Sequence, residues 1–214
     1  MTESDAREEI MIATYEALCE HGYTDLTAQD IADRTGKSKS HLFYYYDSTE
    51  DLMVDFVDFL LERFTARVAE VSELPPVDRL ATFVDWFLYG PNDHEQVSFH
   101  TALLELRAQA PYNDRFREQL QRSDELLRTT LEGILREGLE TGAFCEHEPS
   151  ETAALLIASF DGARVRHLTT AQDEYLEEVR SGAVEWILEP LLADGQPFPA
   201  RSDRQTDHFN EEVR

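Results

Sequence analysis

The residues best suited to binding another molecule lie close together between positions 34 and 46. This stretch reads RTGKSKSHLFYYY and carries three cations and no carboxylate. It includes Lys37 and Lys39, the two lysines of the whole chain. Cations bind phosphate oxygens, while hydroxyl and imidazole groups form hydrogen bonds with the edges of nucleobases. The stretch therefore predicts a surface that contacts nucleic acid.

The cationic stretch stands out because the chain as a whole is strongly acidic. Its 214 residues include 44 Asp and Glu against 19 Lys and Arg, which gives a formal net charge of −25. A polyanion is repelled by DNA in dilute salt, whereas at 1 M salt the screening length falls to about 3 Å. We interpret the composition as that of a protein from a halophile. An ordinary acidic bacterial protein is the alternative.

The patterns that would indicate catalysis or metal binding are missing from the sequence. The seven histidines are scattered, and no H-E-x-x-H, nucleophile elbow or glycine-rich phosphate loop occurs. The two cysteines are too few for a disulfide framework or a cysteine-based zinc site. We therefore expect no enzyme activity, no metal and no cofactor. The chain has no apolar run long enough for a membrane span and no signal-peptide pattern, so we expect a cytoplasmic protein.

Two short helices are predicted to position the cationic stretch. Thr27 with Asp30 forms a capping-box pattern that starts a helix over 28–34, and Ser38 caps another over 39–45. Gly36 lies between them and can adopt the positive φ of a sharp turn. This spacing is that of a helix-turn-helix, whose second helix enters the major groove of DNA.

Helical periodicity dominates the rest of the chain, and no segment shows sustained strand alternation. A first helix is predicted from Asp5 to Glu20, stopped at Gly22, and a long one from Ser48 towards Val71. Pro190 is expected to end or kink the last helix early. Further helices are predicted over 77–89, 93–109, 113–140, 150–170 and 173–192.

The segment from Thr27 to Leu52 resembles the TetR family of transcription factors. The family pattern is T-x-x-D-I-A-x-x-x-G-V-S-K-G-T-L-Y-Y-Y-F-x-S-K-E-x-L, and this chain reads TAQDIADRTGKSKSHLFYYYDSTEDL. The resemblance implies an all-α fold of about nine helices. Residues 1–50 would form the three-helix DNA-binding domain and 51–193 a helical domain for ligand sensing and dimerisation. The polar tail 194–214 is expected to be disordered or loosely attached.

The resemblance also implies which residues contact DNA. Family members use the entry of the first short helix for phosphate contacts, and the N-terminus and aromatic positions of the second for bases and backbone. The matching positions here are Thr27, Gln29, Lys37, Ser38, Lys39, Ser40, His41, Tyr44 and Tyr45. Tyr44, Tyr45 and Tyr46 could instead be core or rim aromatics, and His41 an exposed cap residue.

Three of the departures from the family pattern bear on DNA contact. Lys37 stands where the family has a small apolar residue, Phe43 replaces a tyrosine, and Thr49 replaces a lysine. The last two changes weaken or remove phosphate contacts, which suits an environment where counterion release contributes little.

The last two helices are predicted to form a homodimer. The first of them is apolar almost all round at 153–160, and the second carries apolar residues at helical spacing. Helices 150–170 and 173–192 of two copies would make a four-helix bundle, as in the family. The stretch from Phe160 to Arg166 is similar to the C-terminal domain of BetI-like members.

A site for an unknown small-molecule effector is expected among the helices of the C-terminal domain. Aromatic walls with a few polar groups suit such sites, although each residue alone also fits an ordinary packing core. The candidates are Phe83, Trp86, Phe87, Phe99, His100, Leu103, Tyr112, Phe116 and Phe160.

These features favour a homodimeric regulator that binds a palindromic double-stranded DNA operator and represses until a ligand releases it. The alternative is an acidic helical dimer that has lost DNA affinity and binds a ligand or a protein. The net charge and Thr49 favour that alternative.

Overall fold

The computed structural model describes residues 3–90, 96–170, 172, 174–193, 195 and 197–201. Within these residues the regular secondary structure is helical, and an isolated antiparallel β-bridge joins Phe144 to Leu192. The helices are α1 (Glu3–Asp25), α2 (Ala28–Thr35), α3 (Lys39–Tyr45), α4 (Thr49–Glu70), α5 (Pro76–Tyr89), α6 (Gln96–Gln109), α7 (Asp114–Glu140), α8 (Pro149–Thr170), α9 (Tyr175–Ala183), a π-helical turn (Val184–Leu188) and α10 (Glu189–Leu191). No described helix is long and apolar enough to cross a bilayer.

The helix boundaries around the first turn follow local hydrogen bonds. The Asp30 amide donates to the Thr27 hydroxyl oxygen, and the Asp30 carboxylate accepts from the Thr27 amide at 2.8 Å, which completes the predicted capping box. Gly36 ends α2 at φ 64° and ψ 15°, and Ser38 caps α3. The predicted helix-turn-helix is therefore confirmed.

The predicted stop at Gly22 coincides with a break in the structure. Gly22 interrupts the helical backbone of α1 at φ 69° and ψ 173°, and helical turns resume after it as far as Asp25. Around Pro190 the last helix is distorted by the π-helical turn before it and ends one residue after it, at Leu191, since Leu192 is extended with ψ 128°. In the π-helical turn the Glu189 amide donates to the Val184 carbonyl. Wider spacing just before a proline relieves the clash between its ring and the preceding turn.

The described residues form two compact units, and the first contains the helix-turn-helix. It combines residues 3–66 with 97–123, so α6 and the start of α7 belong to it together with α1 to α4. Its core includes the fully buried side chains of Ile10, Ile31 and Phe56. The ring of Tyr15 on α1 packs against Phe99 on α6, with centroids 5.3 Å apart. The predicted boundary between 50 and 51 stays a prediction.

The second unit combines residues 67–90 with 124–201 where described, and its core lies between α5, α8 and α9. Phe160 on α8 is fully buried against Phe87 of α5. A buried ion pair joins Arg180 of α9 to Asp85 of α5, with Nε donating to Oδ1 at 2.8 Å.

Part of the predicted tail packs against the second unit. Phe198 is buried, and the Pro199 carbonyl accepts a hydrogen bond from Arg180 at 3.4 Å. The Arg201 guanidinium lies 3.8 Å from the centroid of the Tyr89 ring. These contacts argue against loose attachment up to Arg201, while 202–214 lie outside the described residues.

Two glycines of α7 give a matched test of packing. A Cβ at Gly138 would overlap the buried ring of Phe144, whereas one at Gly133 would meet nothing within 4 Å. Gly138→Ala is therefore expected to lower the free energy of unfolding by about 1–3 kcal/mol, because the core is overpacked. Gly133→Ala is expected to raise it by about 0.5–1 kcal/mol through helix propensity. Chemical denaturation checks both, and equal effects would contradict the packing at Gly138.

Candidate DNA-binding site

The N-terminal half of α3 is the exposed part of the helix-turn-helix. Ser38, Lys39 and Ser40 are exposed at the start of the helix, while Leu42 is buried and anchors it. Lys39 Nζ lies 5.7 Å from the centroid of the Phe43 ring, and no described carboxylate pairs with it. The helix therefore presents hydroxyl and ammonium donors on a fixed scaffold.

The aromatic residues that follow occupy different environments. Tyr44 is 81% exposed and its ring stands edge-on to Tyr45. His41 is half-buried against the same Tyr45 ring, and its Nε2 is buried without a hydrogen-bond partner among the described residues. The structure therefore places Tyr44 outward and His41 partly inward.

Tyr46 has a structural role in the first unit. Its hydroxyl donates to Asp55 of α4, which also accepts hydrogen bonds from Arg7 of α1. Burial raises the pKa of Asp55, but the hydrogen bonds from Arg7 and Tyr46 outweigh it and hold that pKa below its usual range. Burial and the contact with Asp55 raise the pKa of Tyr46. This cluster ties the end of the helix-turn-helix to α1 and α4.

The predicted contact residues that precede α3 have their donors engaged within the chain. The Thr27 hydroxyl donates to Asp30 at 2.6 Å, and the Gln29 amide donates to Asp33 at 2.7 Å. Lys37 forms an ion pair with Glu9 of α1. Gln29 and Thr27 remain exposed, while Lys37 is half-buried.

Two residues of α6 and α7 that the sequence did not indicate also hold the helix-turn-helix. Glu105 of α6 accepts from the backbone amides of Tyr23 and Thr24, at 2.5 and 3.2 Å, just after the break at Gly22. Arg115 of α7 pairs with Asp51 at the start of α4. These side chains fix both ends of the helix-turn-helix. Nothing in the local sequence pattern distinguishes them from other surface charges.

The nine predicted effector residues divide between the two units. In the second unit, Phe83 stacks on Phe87, and Phe87 packs against Phe160. Trp86 is half-buried below the Arg67 guanidinium, 5.2 Å from the ring centroid. The other five lie in the first unit. There Phe99, His100 and Phe116 are buried, Leu103 is half-buried and Tyr112 is 89% exposed.

One surface depression of the first unit is lined by none of these aromatic residues. It has a volume of about 540 Å³ and is lined by Arg7, Asp55, Asp58, Leu61, Glu62 and Thr65. Its lining is mainly charged, and Arg7 bridges Asp55 and Glu62 across it. It therefore does not match the aromatic effector site predicted from the sequence, which stays a prediction.

A capped helix-turn-helix with an exposed second helix, within an all-α chain, defines a helix-turn-helix DNA-binding regulator. Two family descriptions match the chain. Residues 10–55 match the bacterial regulatory proteins of the tetR family, and 76–193 match the C-terminal part of BetI-type transcriptional repressors. The chain belongs to the TetR family of transcriptional regulators.

Individual relatives agree with this assignment. A TetR transcription regulator from Haloarcula marismortui is 40% identical, with a TM-score of 0.79 over 88% of this chain and 99% of the other. The transcriptional repressor AcnR of Corynebacterium efficiens is 26% identical over 82% of this chain and 88% of its own. A regulator from Saccharomonospora viridis in complex with choline shares the fold, at 22% identity and a TM-score of 0.75 over 89% of this chain and 99% of the other.

Proposed function

We propose that the chain works as a homodimer whose two α3 helices bind the half-sites of a palindromic DNA operator and repress transcription there. The observation that carries the proposal is the exposed start of α3, where Ser38, Lys39 and Ser40 project from a capped helix. A helix presented in this way fits the major groove, where hydroxyl and ammonium groups can reach base edges and phosphates. The family's character as DNA-binding regulators supports it, and the alternative of a module without DNA affinity is not favoured.

Exposed apolar surface on the last helices supports the homodimer. Leu155 and Val165 of α8 are exposed, and Trp186 in the π-helical turn is 75% exposed. Gly162 of α8 and Gly182 of α9 face open space in the single chain, since a Cβ would meet nothing within 4 Å. A glycine inside a helix costs about 0.5–1 kcal/mol relative to alanine. Beside the exposed apolar residues of α8 and the π-helical turn, these two glycines leave room for close approach of a second copy. The proposed interface is α8 with α9 and the π-helical turn.

We further propose that a small molecule releases the repressor from DNA. Two relatives of this fold have been solved with ligands, one with choline and one with stearoyl-CoA. Because these two ligands differ in chemistry, they support the proposal that a small molecule binds this chain, but they do not indicate its chemical class. The aromatic cluster of Phe83, Phe87 and Phe160 remains the candidate wall of the effector site in the second unit. The proposal includes no catalytic step, metal or cofactor.

The acidic surface supports a halophilic and cytoplasmic setting. The net charge of −25 and the 40% identity to a Haloarcula protein both fit a cytoplasm of high salt. DNA binding should accordingly be measured at molar KCl. In that buffer we expect light scattering to show two chains in solution and two chains per palindromic duplex. A monomer that still binds a single half-site with full affinity would refute the dimeric repressor.

Replacing Lys39 tests the role of α3 in sequence preference. Lys39→Ala is expected to weaken binding to a duplex selected by the wild-type protein by about 5- to 100-fold, because a base or phosphate contact of α3 is lost. Fluorescence anisotropy at 1 M KCl measures it. Arg136→Ala, which removes an exposed cation from α7, is the matched control and should bind as the wild type does. If both variants lose the same affinity for the duplex, the loss comes from the change in net charge and not from a contact between Lys39 and DNA.

A further inference from the structure

Two cations of the DNA-binding segment are held by carboxylates of α1. Lys37 pairs with Glu9, and Arg34 pairs with Glu20. Arg34 also donates to the Asp30 carbonyl at 2.8 Å, so its side chain is fixed at the end of α2. Of the three cations that the sequence places between 34 and 46, Lys39 is the one that no described carboxylate contacts. Two of the three positive charges are therefore balanced within the chain.

The residues predicted to contact DNA fall into two groups, according to whether their donors already have a carboxylate partner within the chain. Before α3, the donors of Thr27, Gln29 and Lys37 each already have a carboxylate partner. At the cap and on α3 itself, Ser38 and Ser40 are exposed together with Lys39 and Tyr44. A phosphate that approaches the first group must compete with a carboxylate of the same chain.

We infer that Glu9 and Glu20 are functional residues of the DNA site, which keep Lys37 and Arg34 from adding to ionic phosphate binding. The inference rests on the proposed DNA binding. It states that these two residues of α1 control how strongly the affinity for DNA depends on salt concentration. Glu9 and Glu20 do not touch DNA in this account. They act through the cations that they hold.

Counterion exchange explains why this control affects salt dependence. When a lysine neutralises a DNA phosphate, a condensed counterion leaves the DNA, and each such contact lowers the slope of log K against log salt by about 0.9. If Lys37 moves from Glu9 to a phosphate, the released carboxylate faces a polyanion and takes up a cation. The cation released from the DNA and the cation taken up by Glu9 then nearly cancel in the salt dependence. The paired cations contribute little to the slope, and binding persists at high salt through the contacts of α3.

The test compares two glutamates that are neighbours on α1. Glu9→Gln removes the partner of Lys37, whereas Glu8→Gln makes the same charge change at an exposed position for which no ion pair is recorded. Each variant is combined with Lys37→Ala. Anisotropy with a duplex selected from a random library by the wild-type protein is measured between 0.4 and 2 M KCl.

Glu9→Gln is expected to make the slope steeper by about 1.8 for a dimer, since two lysines then release counterions without compensating uptake. Over the fivefold salt range this adds about a 20-fold loss of affinity with rising salt. Glu8→Gln should leave the slope unchanged. Lys37→Ala should have almost no effect on the slope of the wild type and should restore the wild-type slope in Glu9→Gln. Glu20→Gln against Glu16→Gln repeats the comparison for Arg34.

The outcomes separate this inference from the proposed function. If the wild-type protein selects a duplex but Glu9→Gln and Glu8→Gln have equal slopes, the inference is wrong and the DNA-binding proposal stands. A slope in the wild-type background that becomes shallower by about 1.8 with Lys37→Ala also overturns it, because Lys37 would then already be releasing counterions. If neither the wild type nor Glu9→Gln selects any duplex, both claims fail.

Discussion

Arg180→Met is expected to lower the free energy of unfolding by about 3–5 kcal/mol, since it leaves the carboxylate of Asp85 buried without a cation. Both side chains are buried, at 8% and 7% exposure, and the Arg180 Nε donates to Asp85 at 2.8 Å. Arg180 also donates to the Pro199 carbonyl, so the variant loses a second hydrogen bond. Chemical denaturation at fixed protein concentration measures the loss, because the stability of a dimer depends on concentration.

Two controls show whether the buried charge is the cause. The double variant Asp85→Leu with Arg180→Met should recover most of the stability, because apolar residues of similar volume often replace a buried pair at little cost. Arg136→Met removes an exposed arginine of α7, outside the proposed dimer interface, and should change stability by less than about 0.5 kcal/mol. The loss in Arg180→Met should persist at 2 M KCl, where exposed pairs are screened. A loss below about 1 kcal/mol would contradict the burial of the pair.

Gly162→Leu is expected to make the chain monomeric and to weaken operator binding by at least about 100-fold. A side chain at this position meets open space within one chain, so the fold of the single chain should tolerate leucine. In the proposed dimer the same side chain would separate the two α8 helices. Two linked DNA-binding helices bind more tightly than one by about 10²- to 10⁴-fold, and this gain is lost with the dimer.

Gly133→Leu is the matched control for the dimer. Gly133 lies inside α7 and also faces open space, but it is outside the proposed interface. We expect this variant to remain dimeric in light scattering and to bind the selected duplex as the wild type does. A dimeric Gly162→Leu variant with a native circular dichroism spectrum would show that α8 does not form the interface.

The helix-turn-helix could be predicted from the sequence because its boundaries depend on neighbouring residues. The capping box joins residues three positions apart, and Gly36 supplies its turn through its own backbone torsions. The same local reasoning applies at Pro190. The last helix ends one residue after this proline, although the π-helical turn just before it could not be predicted from the sequence pattern.

The interactions that determine how the site works could not be predicted in this way. Lys37 and Glu9 are 28 residues apart, and Glu105 lies 82 residues from the Tyr23 amide that it binds. Such pairs depend on how whole helices pack, which the periodicity of each helix does not specify. From the sequence, Lys37 was therefore predicted to contact DNA through its positive charge. In the structure it forms an ion pair with Glu9 of α1.

Aromatic residues of the C-terminal part show a similar limit. Their density predicted an effector site, but apolar rings line a cavity and fill a core with the same sequence pattern. In the structure Phe87 packs between Phe83 and Phe160, while Tyr112 is exposed. The composition of this region identified the aromatic residues, but it did not show which of them lie together around an effector site.

Selection of duplex DNA from a random library at 1 M KCl tests most directly whether α3 reads DNA. The wild-type chain should be compared with a variant that carries alanine in place of Lys39, Ser40 and Tyr44, which are all exposed, while Ser38 is kept because its side chain caps α3. We predict that the wild type enriches an inverted repeat and that the variant, still folded and dimeric, enriches none. Enrichment of the same repeat by the variant, or of no sequence by the wild type, would contradict the account.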